Sequence, residues 1–178
     1  MKSLRPIVPA ITAALFLAAA LAAQPVPSPA SAKAKNAQEV FESLKKLAGT
    51  WEGVTEGMEG KSEIRYRVIS AGSVLLETIF PGSDHEMATV YYMEGPELVL
   101  VHYCAARNQP HMRFAGLTDK GEYRFDFAGG TNLDPAKDAH MHNFRIRFDG
   151  PDKAYTEWDY FKEGKKTETM KFALSRKP

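Results

Sequence analysis

The sequence predicts an all-β protein, an antiparallel up-and-down barrel of about ten strands preceded by one short helix. Three observations lead there. Only one stretch, Asn36 to Ala48, carries a helical period. After it the chain divides into segments of roughly eight to ten residues separated by turn signals. Several of those segments alternate apolar and polar side chains strictly, as half-buried strands do.

The first residues read as a leader. Lys2 and Arg5 form a positive start, Ile7 to Ala22 is apolar, and Ala20-Leu21-Ala22 and Ala30-Ser31-Ala32 both fit a small-residue cleavage pattern. The apolar run is about 16 residues and contains Pro9, short of the ~20 that a spanning helix needs. The division expected is a signal peptide over residues 1–23, with cleavage as late as 32, then a Pro- and Ala-rich extended linker over 24–35. A single domain follows over 36–178, exported to the periplasm or secreted, with no membrane span after cleavage.

Charge excludes some partners. The net charge is +1, and losing Lys2 and Arg5 moves it only just to the acidic side. No basic cluster stands out, so nucleic acid is not an expected partner. One cysteine makes no internal disulfide, so the domain relies on its core.

In the helical stretch, Val40, Phe41, Leu44 and Leu47 recur at three- and four-residue spacing, with Asn36 as cap and Gly49 as stop. Turns follow at Gly57-Met58-Glu59-Gly60, Ala71-Gly72, Gly95-Pro96, Asn108-Gln109-Pro110, Asp119-Lys120-Gly121, Asp149-Gly150-Pro151-Asp152 and Glu163-Gly164, with a longer loop over 129–139. Ile64, Tyr66 and Val68 oppose Glu63, Arg65 and Arg67. Tyr123, Phe125 and Phe127 oppose Arg124 and Asp126. His142, Phe144, Ile146 and Phe148 oppose Asn143, Arg145 and Arg147, and Met170, Phe172 and Leu174 oppose Thr169 and Lys171. Val74 to Phe80 and Leu98 to Tyr103 are apolar on both faces, so the helix or a homodimer contact must cover their outer side.

By this parity the inward set includes Tyr66, Phe125, His142, Phe144, Trp158 and Tyr160. The Met87–Tyr103 hairpin has two parities open; the reading adopted turns Tyr91, His102 and Cys104 inward. Together these nine are the candidate ligand-binding residues, an aromatic lumen with a few polar groups. Glu77 and Glu168 also have parities that allow an inward position, where a glutamate hydrogen-bonds a tyrosine or pairs with an arginine.

His102 and Cys104, two apart on a strand, read either as a soft-metal pair or as a buried thiol beside a hydrogen-bonded histidine; the second is adopted. His140 and His142 would need a third ligand such as Asp138, His111 or His85 to hold a metal, and read instead as rim histidines. No metal, no cofactor and no catalytic residue is therefore assigned. Nearly all strand arginines face outward, which disfavours a carboxylate ligand, with Arg113 the exception to test.

Leu47-Ala48-Gly49-Thr50-Trp51-Glu52-Gly53, after a short helix, resembles the opening of lipocalin-like (calycin-type) barrels. That resemblance implies a barrel end sealed by Trp51, with Gly49 allowing the tight turn and Arg176 of the last strand stacking on the indole. The block from Met87 to Gln109, with His102-Tyr103-Cys104 and Asn108-Gln109-Pro110, also resembles a group of bacterial exported proteins with such barrels, which implies export and fold but no reaction. Nitrobindin-type haem barrels open with Gly-Thr-Trp too, but they carry a proximal histidine near the C terminus, and no histidine follows His142 here. The function expected is lumenal binding of a small, largely apolar or aromatic molecule. The alternatives are an enzyme using His102 or His142 as general base, and an interaction module dimerising through the central hairpin.

Overall fold

The computed structural model describes residues 29–55 and 60–178. Helix α1 (Pro29–Lys45) leads into ten strands: β1 (Gly49–Thr55), β2 (Lys61–Ile69), β3 (Val74–Ile79), β4 (Met87–Glu94), β5 (Glu97–Tyr103), β6 (Gln109–Leu117), β7 (Tyr123–Thr131), β8 (His140–Phe148), β9 (Lys153–Lys162) and β10 (Lys165–Arg176). Each pairs antiparallel with its sequence neighbour, and β1 pairs with β10, so the sheet closes into a barrel without free edges. Among the described residues no helix is long and apolar enough to cross a membrane.

The leader, residues 24–28 of the expected linker and most of the first turn lie outside the described residues. Two boundaries differ from expectation. The helix starts at Pro29, upstream of Asn36, because Ala30, Ala32 and Ala34 favour helix over an extended linker. It ends at Lys45, where short bonds from the Leu47 and Ala48 amides to the Leu44 and Lys45 carbonyls tighten the last turn. Gly129 and Gly130 belong to β7 and Pro110 to β6. The β6–β7 register slips between Pro110 and Met112, beside the proline that has no amide to give.

The helix end of the barrel is sealed. Ala37, Val40, Phe41, Leu44 and Leu47 join the lumenal core, together with Trp51. The Trp51 Nε1–H donates to the Leu47 carbonyl at 2.7 Å. The Arg176 guanidinium lies 4.3 Å from the indole centroid and donates to the Ala48 and Lys46 carbonyls at 2.8 Å each. Gly49 has φ +133°, and a Cβ there would come within 2.8 Å of Arg176 Nη1, so no other residue fits without displacement. Tyr66, Leu75, Tyr91, Leu98, Leu100, Met112, Phe125 and Phe144 fill the middle, all fully buried. Among the described residues the opposite end is recessed, at the end of β3, β5 and β9 and the start of β4, β8 and β10.

Candidate functional site

Register decides what reaches that recessed end. Thr89 pairs with His102, Tyr91 with Leu100 and Met93 with Leu98. Antiparallel partners share a face, so the lumenal row of the β4–β5 hairpin is Thr89, Tyr91, Met93, Leu98, Leu100 and His102. Val99 pairs with Arg113 on the outer face, and Arg113 is bound there to Glu94 and Glu97 rather than entering the lumen.

At the deepest polar point lies Glu77. It is 1% exposed. Its two oxygens accept from Tyr66 and Tyr91 hydroxyls at 2.7 and 2.8 Å. Burial raises its pKa above the usual carboxylate value, and hydrogen bonds from Tyr66, Tyr91 and Thr89 pull the other way. Burial first, and the Glu77 carboxylate second, push both tyrosine hydroxyls well above their ordinary pKa, so they remain donors.

Thr89 carries the chain onward. Its Oγ1 lies 3.0 Å from His102 Nδ1. In the tautomer where Nδ1–H donates to Thr89 Oγ1, Nε2 keeps its lone pair. Nε2 meets no protein partner although it is buried. Burial also lowers the His102 pKa to about 4, so the ring is neutral at pH 7.

One cavity faces this ring, and a second, outer recess shares three of its lining residues. The inner one, about 20 Å³, is lined by Ile79, Phe80, Met87, His102, Met141, Trp158, Met170 and Phe172. The His102 and Trp158 rings are 4.8 Å apart. The outer recess, about 340 Å³, is lined by Met87, Cys104, Ala105, Ala106, Met141, Tyr160, Glu168 and Met170. Three methionines from three strands therefore border both. Cys104 is held there by the β5–β6 turn, in which its amide donates to the Asn108 carbonyl and the Arg107 amide returns to its own carbonyl. Burial raises the thiol pKa, so the sulfur is protonated and unreactive at neutral pH.

Of the nine expected lumenal residues, His102 and Trp158 line the inner cavity, and Cys104 and Tyr160 the outer recess. Tyr66 and Tyr91 are engaged with Glu77. Phe125 and Phe144 pack at 5.8 Å as core and line neither cavity.

His142 needs correction. Met141 pairs with Tyr160 but Asn143 with Asp159, so β8 carries an extra residue at 142. The bulge reverses parity: Met141 takes the lumenal position, and His140 shares a face with Phe161. The His142 ring stacks between Phe161 at 3.8 Å and Phe127 at 4.3 Å. It also meets His140 Nε2 through Nδ1 at 2.9 Å, while His140 Nδ1 is satisfied by the Asp138 carbonyl. Burial first, and His140 second, lower its pKa.

Asp159 is buried on the outer face. Burial alone would raise its pKa, but hydrogen bonds from Arg145, Lys166 and Thr169 hold it well below the usual carboxylate range.

Met87, Met141 and Thr89 enter the site without a sequence signal of their own, since lumenal methionine has no pattern distinct from core methionine. Among the described residues, no three of His, Cys, Asp and Glu converge to hold a metal ion. No family model matches the chain, and no curated protein matches it.

Proposed function

We propose that this chain is an exported, lipocalin-like carrier that holds a small, largely apolar or aromatic molecule at the recessed mouth of its barrel. The observation that supports this most directly is that the outer recess and the inner cavity share the lining residues Met87, Met141 and Met170. Flexible, polarisable thioethers beside Trp158 and Tyr160 suit an adaptable apolar site. The filled middle limits the guest to the mouth. Export is inferred from the leader-like first residues.

A lumenal enzyme receives less support. A His102 pKa near 4 makes a weak base at neutral pH, and His142 is committed to its aromatic stack.

The test is fluorescence titration of the mature chain with N-phenyl-1-naphthylamine. Saturable, one-to-one enhancement that Met141→Trp and Tyr160→Ala weaken supports the reading. No enhancement, or enhancement indifferent to both changes, overturns it. Native mass spectrometry of protein from its own compartment would then identify the natural guest and show whether the chain travels as a dimer.

A further inference from the structure

We propose that the inner end of the recess binds a soft monovalent cation, Cu(I) or its redox-stable analogue Ag(I), through His102 Nε2 and thioethers of Met87, Met141 and Met170. The inference rests on the binding role proposed for the mouth and adds the cation at its inner end.

The donor set is the first argument. The inner cavity offers one imidazole nitrogen and three thioethers, contributed by β4, β5, β8 and β10. Thioether sulfur is neutral and soft, and it selects Cu(I) over hard or divalent ions. Zinc would want several imidazoles or thiolates, and among the described residues that set is missing.

Preorganisation is the second. A carrier for apolar molecules alone has no use for an unpaired imidazole nitrogen at its floor. Here Nδ1 lies 3.0 Å from Thr89 Oγ1, Thr89 sits directly across the sheet from Glu77, and Glu77 is held by two tyrosines. That line fixes a ring that borders the cavity and whose Nε2 has no protein partner, as outer hydrogen bonds fix metal-binding histidines.

Charge and size agree. A cation in an apolar pocket needs a counter-charge. Glu77 is the carboxyl group on that line, and a cation bound beyond it favours its ionised form, a single charge that suits a monovalent guest. Trp158, 4.8 Å from His102, adds an aromatic face to the cation's surroundings. A cavity of about 20 Å³ admits one ion and little else.

The test is anaerobic titration of the mature chain with Ag(I), read by tryptophan fluorescence and by the ¹⁵N resonance of His102 Nε2, and repeated with Cu(I) against a colorimetric chelator. One-to-one binding is expected, with a coordination shift at Nε2. His102→Phe is expected to weaken it about 100-fold, and Met141→Leu and Met170→Leu about 10-fold each. His111→Ala, at a position that lines neither cavity, should leave it within about threefold. Absence of saturable binding, an unmoved Nε2 resonance, or loss of binding in His111→Ala overturns the proposal. The two methionine variants and the resonance keep the test decisive if His102→Phe folds poorly. N-phenyl-1-naphthylamine on the same samples separates the readings: dye bound without Ag(I) sinks the cation alone, and neither bound sinks both.

Discussion

Arg176 covers Trp51 like a lid whose hinges are two carbonyl oxygens. The guanidinium sits 4.3 Å from the indole and bonds the Lys46 and Ala48 carbonyls at the end of the helix. Arg176→Ala is expected to remove about 2–4 kcal/mol, from charge-assisted hydrogen bonds and the cation–π contact together. Gly49→Ala should also destabilise, by about 1–3 kcal/mol, through its φ and the crowding of Nη1. Because the second change acts partly through Arg176, the double variant should fall short of the sum. Urea unfolding of the four proteins checks this; strict additivity would mean the two do not touch in solution.

Glu77 is expected to be costly to delete and cheap to delete with its partners. Glu77→Ala strands two buried tyrosine hydroxyls, a loss of about 3–5 kcal/mol. Tyr66→Phe and Tyr91→Phe added to it should recover part of that. Denaturation midpoints decide, and a triple variant no better than the single one would refute the account.

Acid should expose His102. Its native pKa of about 4 lies below the ordinary histidine value of 6.5. Above pH 6.5 both folded and unfolded chains are neutral there, and the contribution is fully present. As pH falls towards 4 the unfolded chain takes a proton the native one refuses, and about 3 kcal/mol of stability is lost. Glu77 has the opposite sign, since its native pKa is raised. The difference between wild type and His102→Phe isolates the histidine: the metal-free wild type should lose more stability than the variant between pH 7 and 4.5. Equal losses would show that His102 titrates normally.

His142→Ala should leave naphthylamine binding unchanged and lower stability by about 1–2 kcal/mol, the worth of its stacking between Phe127 and Phe161. Trp158→Ala should do the reverse for binding, reducing it strongly. Loss of dye binding in the His142 variant would return that ring to the lumen.

The barrel was legible because its information is local. Alternation in β2 and β10, turn pairs such as Glu163-Gly164, and the Gly49–Trp51 corner each state their role within a few residues. Glu163 and Gly164 both take positive φ, as a two-residue hairpin turn requires. The site was harder to read because it depends on pairing. Counting by twos through β8 assigns His142 inward; the extra residue of the bulge shifts the count, and nothing in His140-Met141-His142 announces it. Thr89 gains its role only when β5 is laid beside it, opposite His102. The lumenal aromatics divide into core and cavity lining by their depth along the barrel axis, a coordinate that side-chain parity does not contain.

The pairing of β1 with β10 also sets an order of events. The bond from Arg176 to the Ala48 carbonyl spans 128 residues of chain. Every other strand finds its partner next door, so a meander can assemble progressively as the polypeptide emerges, while β1 waits with one edge bare. Closure is thus the slow, non-local step of folding. Until it happens the sheet has two sticky borders, each able to pair with another chain before it meets its own partner.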